Sequence, residues 1–81
     1  NSSAYPNPAS GFTAINYAVE SASNSTLKIT DELGQVVYEK TLENTKGTVK
    51  ITTSEFKPGI YFYSLNVGNT RVSTKKLIIT Q

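Results

Sequence analysis

The chain of 81 residues contains no cysteine, no histidine and no methionine. Without cysteine it can form no disulfide bond, and without cysteine or histidine it lacks the side chains that usually bind zinc, copper or haem iron. We therefore expect no metal site and no cofactor. A domain of this size buries only roughly 60 to 65% of the surface that its unfolded chain exposes, so the core must be thin and stability must come from packing.

The absence of methionine indicates a piece of a longer protein, because a complete translation product has its own start. No stretch approaches the ~20 apolar residues of a membrane span, so we expect no direct insertion into a membrane. The N-terminal residues also lack the basic and apolar regions of a secretory signal. Any export signal of that kind is expected in the missing part.

Charged residues are few and of both signs. Eight basic and six acidic residues give a net charge of +2, and only Lys75 and Lys76 are adjacent basic residues. This is the pattern of a solvated surface, so no nucleic-acid partner is expected. Asp31 and Glu32 would point to opposite sides of an extended chain, and no histidine is present to act as a base. The sequence therefore predicts no catalytic residue and no enzyme activity.

Short antiparallel strands are indicated by turn residues that recur every eight to twelve positions. Period-two alternation predicts a half-buried strand with one face formed by Thr13, Ile15, Tyr17 and Val19. Further strands are predicted at residues 27–30, 35–41, 47–53, 60–67 and 71–80. With Tyr5 to Ala9 as an extended edge segment, the chain is predicted to be an all-β sandwich of about six or seven strands.

Two turns carry specific residues. Asp31 can bond its own backbone and Gly34 can take a positive φ, which predicts a hairpin between the second and third strands. The following Val36-Val37 pair breaks strict alternation and leaves open which valine points inward. Pro58 and Gly59 are predicted at the second and third positions of a tight turn. The strand after it is apolar on both faces and is predicted to be central and covered on both sides.

The order of motifs resembles one family, the C-terminal sorting domain of proteins exported by the type IX secretion system of Bacteroidetes, in the variety that begins with a Tyr-Pro-Asn-Pro motif. The match covers nearly the whole chain. It rests on Tyr5-Pro6-Asn7-Pro8, on Leu27 to Asp31 leading to Gly34-Gln35-Val36-Val37, on Gly47, on Pro58-Gly59-Ile60-Tyr61-Phe62-Tyr63 and on Lys76-Leu77-Ile78-Ile79.

The resemblance implies an immunoglobulin-like antiparallel β-sandwich at residues 5–81, preceded by a linker remnant at residues 1–4 and covalently attached to a larger cargo protein. It implies that the domain directs this cargo from the periplasm across the outer membrane to the cell surface. The implied partners are the type IX translocon and a surface protease that removes the domain as the cargo is attached.

The candidate site for partner recognition is the segment Lys75, Lys76, Leu77, Ile78 and Ile79. A terminal strand can expose unpaired backbone groups and dock by adding to a partner's sheet, while neighbouring lysines set the register. The alternative is an ordinary final strand with solvated lysines.

The other motif residues are predicted to be mainly structural: Tyr5, Pro6, Asn7, Pro8, Gly34, Pro58, Gly59 and Tyr61. The first two prolines fix φ at about −65° and prevent extension of a sheet, so the opening motif can act as a rigid lead-in to the domain. Two other functions stay open. Tyr5, Tyr61 and Tyr63 could offer ring faces to sugars in a carbohydrate-binding or adhesive module, or the domain could be a spacer without a specific partner.

Overall fold

The computed structural model of the chain describes residues 2–20 and 24–80, and within these ranges it contains strands and no helix. The strands are β1 (Ser2–Tyr5), β2 (Ala9–Ser10), β3 (Phe12–Ala18), β4 (Ser25–Thr30), β5 (Val36–Thr41), β6 (Lys46–Thr52), β7 (Gly59–Val67) and β8 (Thr70–Thr80). They form two sheets, which confirms the predicted all-β sandwich. The number of strands exceeds the predicted six or seven because the N-terminal segment supplies two short strands.

The N-terminal segment contributes one strand to each sheet. Residues 2–4, expected to be a linker remnant, pair with β3 as part of β1. The chain then bends at Pro6 to Pro8, where the Tyr5–Pro6 and Asn7–Pro8 peptide bonds are cis, and β2 pairs in parallel with the end of β8. The prediction of one extended segment from Tyr5 to Ala9 is therefore wrong, because the prolines lack the N–H groups that a continuous strand donates.

The two sheets have the strand orders β1-β3-β6 and β2-β8-β7-β4-β5. Every pairing except that of β2 with β8 is antiparallel. The run β8-β7-β4-β5 has the order of strands G, F, C and C′ in a variable-type immunoglobulin sandwich. The structure is therefore compatible with the immunoglobulin-like sandwich that the sequence resemblance implies.

The core lies between the two sheets, and its side chains follow period-two alternation. Thr13, Ile15 and Tyr17 are buried on β3, as predicted, while Val19 is half-buried and packs against the core. The buried apolar side chains are Ala9, Ile15, Tyr17, Leu27, Ile29, Leu42, Val49, Ile51, Tyr61, Tyr63, Leu65, Leu77 and Ile79. Both sheets contribute side chains to this cluster, so the core is shared between them.

The hairpin between β4 and β5 is present, but neither valine of β5 points into the core. Val36 and Val37 are 50% and 39% exposed. The register shifts between Ile29 and Thr30, which oppose Tyr38 and Val36, so Val37 is the extra residue of a β-bulge. The bulge explains why strict alternation fails at this point of the sequence.

Strand β7 is the central strand of the five-stranded sheet, between β8 and β4. Its inner face buries Tyr61, Tyr63 and Leu65. On the outer face Ile60 is 36% exposed and Phe62 is half-buried. The prediction that the strand is covered on both sides is wrong for the outer face, because adjacent side chains of the same sheet shield it only partly and no further layer lies over it within residues 2–20 and 24–80.

Burial raises the pKa of the Tyr63 phenol above its ordinary value of 10.0, and a backbone hydrogen bond with Ala4 opposes the rise without cancelling it. The folded protein therefore keeps this proton at a pH at which the unfolded chain has lost it. We expect the free energy of unfolding to be insensitive to this group below about pH 10 and to fall as the pH rises above that value.

The measurement is urea unfolding at about pH 8 and about pH 11 for the unsubstituted chain and for Tyr63→Phe, which cannot ionise. At the higher pH the unfolding free energy of the variant is expected to rise relative to that of the unsubstituted chain, because only the unsubstituted chain loses the stability linked to Tyr63. A difference that is the same at both pH values would contradict the role assigned to Tyr63.

Candidate functional site

The predicted recognition segment lies in β8 and alternates between the two faces of its sheet. Leu77 is fully buried and Ile79 is 1% exposed, so both belong to the core. Lys76 stands opposite Phe62 of β7 on the outer face, and Ile78 stands opposite Ile60. Four of its five residues therefore divide into a buried pair, Leu77 and Ile79, and a pair on the outer face, Lys76 and Ile78.

The two adjacent lysines serve different faces. Lys75 stands opposite Tyr63, whose side chain lies in the core, so the Lys75 side chain leaves from the inner face of the sheet. Its Nζ donates a hydrogen bond to the backbone oxygen of Ser2 in β1, at the side of the sandwich. This hydrogen bond links β8 to β1 of the other sheet.

Asn7 fastens the N-terminal segment to the outer edge of β8. Its Nδ2 donates to the backbone oxygen of Lys76 at 3.0 Å, and its Oδ1 accepts from the backbone N–H of Ile78 at 3.0 Å. A carboxamide has the same donor and acceptor as a peptide group. The Asn7 side chain thus makes the pair of hydrogen bonds that a neighbouring strand would make.

Strand β2 continues this cover toward the C-terminus. Ala9 and Ser10 pair with Ile79 and Thr80, and the Thr80 Oγ1 donates to the Ala9 oxygen at 3.1 Å. We call residues 6–10 the strap. The expectation that the terminal strand exposes unpaired backbone groups is corrected by this finding, because the strap occupies the outer edge of β8 from Lys76 to Thr80.

The remaining residues of the opening motif position the strap. The Tyr5 side chain is 79% exposed and ends β1. The Pro6 oxygen accepts a hydrogen bond from the Thr13 hydroxyl at 2.9 Å, which ties the strap to β3. Pro8 lies in the bend before β2. The motif is therefore a crossing between the two sheets, and Asn7 is the member whose side chain reaches the C-terminal strand.

Gly34 closes the β4–β5 turn. Its N–H donates to the Asp31 oxygen at 3.0 Å, and its φ of 86° lies in a region that side-chain-bearing residues rarely adopt. The Asp31 carboxylate accepts from the N–H groups of Leu33 and Gln35, both at 2.9 Å. This is the predicted use of aspartate and glycine, and it gives Gly34 a structural role in the turn to β5, the edge strand opposite β2.

Pro58 and Gly59 do not form the turn that the sequence predicts. The hydrogen-bonded turn lies earlier, where the Phe56 N–H donates to the Thr53 oxygen at 3.0 Å, and Gly59 is already the first residue of β7. Gly59 opposes Ile79 in the ladder with β8. The prediction placed the turn too late, because Pro58 can also precede a strand as a residue with fixed φ.

Tyr61 holds this connection in place. Its hydroxyl donates to the Lys57 oxygen at 2.7 Å, and its ring lies 5.8 Å from that of Phe56. Strand β7 corresponds to strand F, and a tyrosine near the start of strand F whose hydroxyl bonds the backbone a few residues upstream is the tyrosine corner of immunoglobulin-type sandwiches. The motif residue Tyr61 is thus a clamp on the β6–β7 connection.

We expect Tyr61→Phe to lower the free energy of unfolding by about 1 kcal/mol, because it removes the hydrogen bond to Lys57 and keeps the ring packing. Tyr5→Phe is the matched control, since the Tyr5 side chain is 79% exposed. Urea unfolding of both variants tests this. Equal stability of the two variants would show that the hydroxyl of Tyr61 contributes nothing.

The exposed aromatic surface needed for sugar stacking is absent among the predicted tyrosines. Tyr61 and Tyr63 are 8% and 3% exposed, so only Tyr5 presents its ring to solvent. The carbohydrate-binding alternative is therefore not favoured. The outer face of the five-stranded sheet does hold an open groove of about 470 Å³, whose rim carries both signs of charge in Lys28, Asp31 and Arg71.

The described residues contain neither a metal-binding cluster nor a membrane-spanning helix. In residues 2–20 and 24–80 no group of three or more histidine, cysteine, aspartate or glutamate side chains is placed to hold a metal ion. The same part of the chain has no helix long and apolar enough to cross a membrane.

Sequence reasoning missed the direct contact of Asn7 with the recognition segment. Asn7 and its partners Lys76 and Ile78 are separated by 69 and 71 positions in the chain. A signal was present, because an asparagine between two prolines supplies from its side chain the donor that its neighbours lack. The sequence pattern indicates that the Asn7 side chain can make the hydrogen bonds of a neighbouring strand, but it does not indicate which strand Asn7 contacts.

The family model described as the secretion system C-terminal sorting domain matches residues 3–80. No curated protein and no solved structure matches the chain significantly. The matched range includes β8, the strap and nearly all of β1. The chain therefore belongs to the family of C-terminal sorting domains of the type IX secretion system.

Proposed function

We propose that this domain acts as a C-terminal sorting signal by presenting the outer face of its last strand to the type IX export machinery. The observation that carries the role is the family match over residues 3–80. Membership makes the domain a sorting signal for export across the outer membrane, in Bacteroidetes as the family implies. The family's role is non-enzymatic, and we infer that this chain likewise catalyses no reaction.

The proposed recognition residues remain Lys75, Lys76, Leu77, Ile78 and Ile79. They differ in how they would contribute to recognition. Lys76 and the half-buried Ile78 lie on the outer face and can contact a partner directly. Leu77 and Ile79 are buried and act by fixing the strand in the sheet. The positive charge of Lys76 favours a partner surface that carries carboxylates.

The proposed partners are the translocon and a surface sorting protease, with a cargo protein joined covalently to the domain. The domain would pass through the periplasm and reach the cell surface with its cargo, where the protease removes it. Support comes from the family's place in type IX export and from the location of β1 at the sheet edge, where a preceding chain can be reached.

A fluorescent reporter fused in front of the 81-residue chain tests the proposal in cells with and without the type IX translocon. We expect translocon-dependent release that Lys76→Glu lowers about tenfold, the loss that corresponds to ~1.4 kcal/mol of binding free energy. Lys46→Glu is the matched control, an exposed lysine on β6 in the other sheet.

Both variants are first compared with the unsubstituted chain by thermal melting. Release that is the same for both variants would remove Lys76 from the recognition surface. Release that does not depend on the translocon would leave the spacer interpretation in place of the sorting signal.

A further inference from the structure

The two ends of the chain are tied together at the edge of β8. The Asn7 side chain bonds Lys76 and Ile78, β2 pairs with the last two residues of the strand, and Lys75 Nζ donates to the Ser2 oxygen. On the other side of β8 the ladder with β7 runs from Gly59 to Val67. One edge of the C-terminal strand is thus held by a long ladder and the other by a few local contacts.

The strap is the weaker of these two neighbours. Asn7, Pro8 and Ser10 are exposed, and Ala9 is the strap residue that is fully buried. Each hydrogen bond on the strap side contributes modestly because water replaces it when it opens. Local opening of so small a segment is the expected low-energy fluctuation of such a domain, while β8 stays paired with β7.

Opening of the strap would uncover a specific set of backbone groups. The Lys76 oxygen and the Ile78 N–H both point away from β7, as their bonds to Asn7 show. Strand geometry directs the groups of alternate residues to the same edge, so Thr80 belongs to this row. These groups form an edge that an extended chain can join by strand addition.

We propose that the strap is a removable cover and that the edge of β8 from Lys76 to Thr80 is a binding site for an extended, acidic segment of a partner chain. The proposal depends on the proposed function for its place in export, while its physical basis is the geometry of the strap. Binding and the strap exclude each other because both use the same backbone groups.

The acidic character of the partner follows from the charges of β8. The strand carries Arg71, Lys75 and Lys76 and no acidic residue, and no aspartate or glutamate follows Glu55 in the chain. Lys75 Nζ stays bound to the Ser2 oxygen of β1 when the strap opens, so Lys76, on the outer face at the uncovered edge, is the cation that faces a bound segment. A segment that places a carboxylate beside Lys76 adds a favourable charge contact to the backbone hydrogen bonds.

The cover is tested first by amide hydrogen exchange in the 81-residue chain. Asn7→Ala removes the acceptor of the Ile78 N–H, and we expect exchange at Ile78 to accelerate about 30-fold, the effect of losing two modest hydrogen bonds. The Leu65 amide in the central strand should not change. Asn44→Ala, at an exposed asparagine between β5 and β6, is the matched control. Unchanged exchange at Ile78 would overturn the proposal.

The binding site is tested with a heptapeptide of alternating valine and glutamate and with its valine–glutamine counterpart, followed by backbone amide shifts at Ile78 and Thr80. We expect Asn7→Ala to bind the acidic peptide at least about tenfold more tightly than the unsubstituted chain. Equal affinity of these two chains would overturn the cover, and equal affinity for the two peptides would overturn the acidic partner.

A disulfide bond that holds the strap on β8 is expected to have the opposite effect on peptide binding. Ser10 and Thr80 are exposed partners in the β2–β8 ladder, and adjacent strands lie about 4.8 Å apart, within the range that a disulfide spans. The double variant Ser10→Cys/Thr80→Cys should bind no peptide when oxidised and should regain binding when reduced. Peptide binding to the oxidised form would overturn the proposal. If the double variant fails to fold, the Asn7→Ala comparison decides.

The same disulfide bond separates this proposal from the proposed function. In translocon-competent cells the reporter fused to either single-cysteine variant should be released, while the oxidised double variant should be retained. Release of the oxidised double variant would overturn the cover. If both single variants and the unsubstituted chain are all retained, the sorting role is refuted. The peptide-binding experiment then decides alone whether the strap acts as a cover.

Discussion

Removal of residues 77–81 is expected to unfold the domain and so to abolish export for a structural reason. Leu77 is fully buried and Ile79 is 1% exposed. Loss of either large side chain from a core costs about 2–5 kcal/mol, and a domain of this kind has only about 5–15 kcal/mol in total. The truncation also removes the part of β8 that pairs with β2. Circular dichroism and thermal melting should show loss of the cooperative transition.

The matched control for this truncation is Lys76→Glu, which changes an exposed side chain of the same strand and leaves the core intact. It should melt as the unsubstituted chain does. A truncated chain with native circular dichroism and a cooperative melt would contradict the expectation. If the truncation unfolds the domain, a failure of export after it cannot be attributed to a lost contact with the translocon.

Leu65→Ala should have the next largest effect on stability. Leu65 is fully buried in the central strand β7, between Leu27 of β4 and Ser73 of β8. We expect the free energy of unfolding to fall by about 2–5 kcal/mol, because the substitution removes apolar contacts and leaves a cavity that strands on both sides prevent from closing. Urea unfolding at neutral pH measures the change.

The chain offers a leucine as control for this substitution. Leu33 is 84% exposed at the tip of the β4–β5 turn, so Leu33→Ala should change the free energy of unfolding by no more than about 0.5 kcal/mol. Similar losses of unfolding free energy in the two variants would mean that burial does not determine how much each leucine contributes to stability. A small loss for Leu65→Ala alone would mean that the core rearranges to fill the space.

Strand β3 and the β4–β5 turn show how far local pattern reaches. The alternation of Thr13, Ile15 and Tyr17 predicts the buried face of β3 correctly, because successive side chains of a strand point to opposite sides wherever it lies. Asp31 and Gly34 predict their turn because its hydrogen bonds join residues no more than four positions apart. The order of the motifs also indicated the family, which the family model matching residues 3–80 confirms.

The errors occur where the outcome depends on neighbours distant in the chain. The outer face of β7 is as apolar in sequence as a covered face, yet no second layer is placed over Ile60 and Phe62 within the described residues. The bulge at Val37 depends on the partner strand β4. The Pro58–Gly59 pair is compatible with a turn and with a strand start, and the ladder with β8 selects the strand.

For this domain, the order of residues along the chain specifies the all-β class, the buried face of β3 and the β4–β5 turn, since each depends on periodicity or on residues close together. It also specifies the family, which is recognised from the order of motifs along the chain. The contact of Asn7 with Lys76 and Ile78 joins residues about 70 positions apart and comes from the fold. Backbone hydrogen-bonding groups are the same at every position except proline, so a sequence does not state which edge a strap will cover. Packing of the two sheets brings the strap to β8.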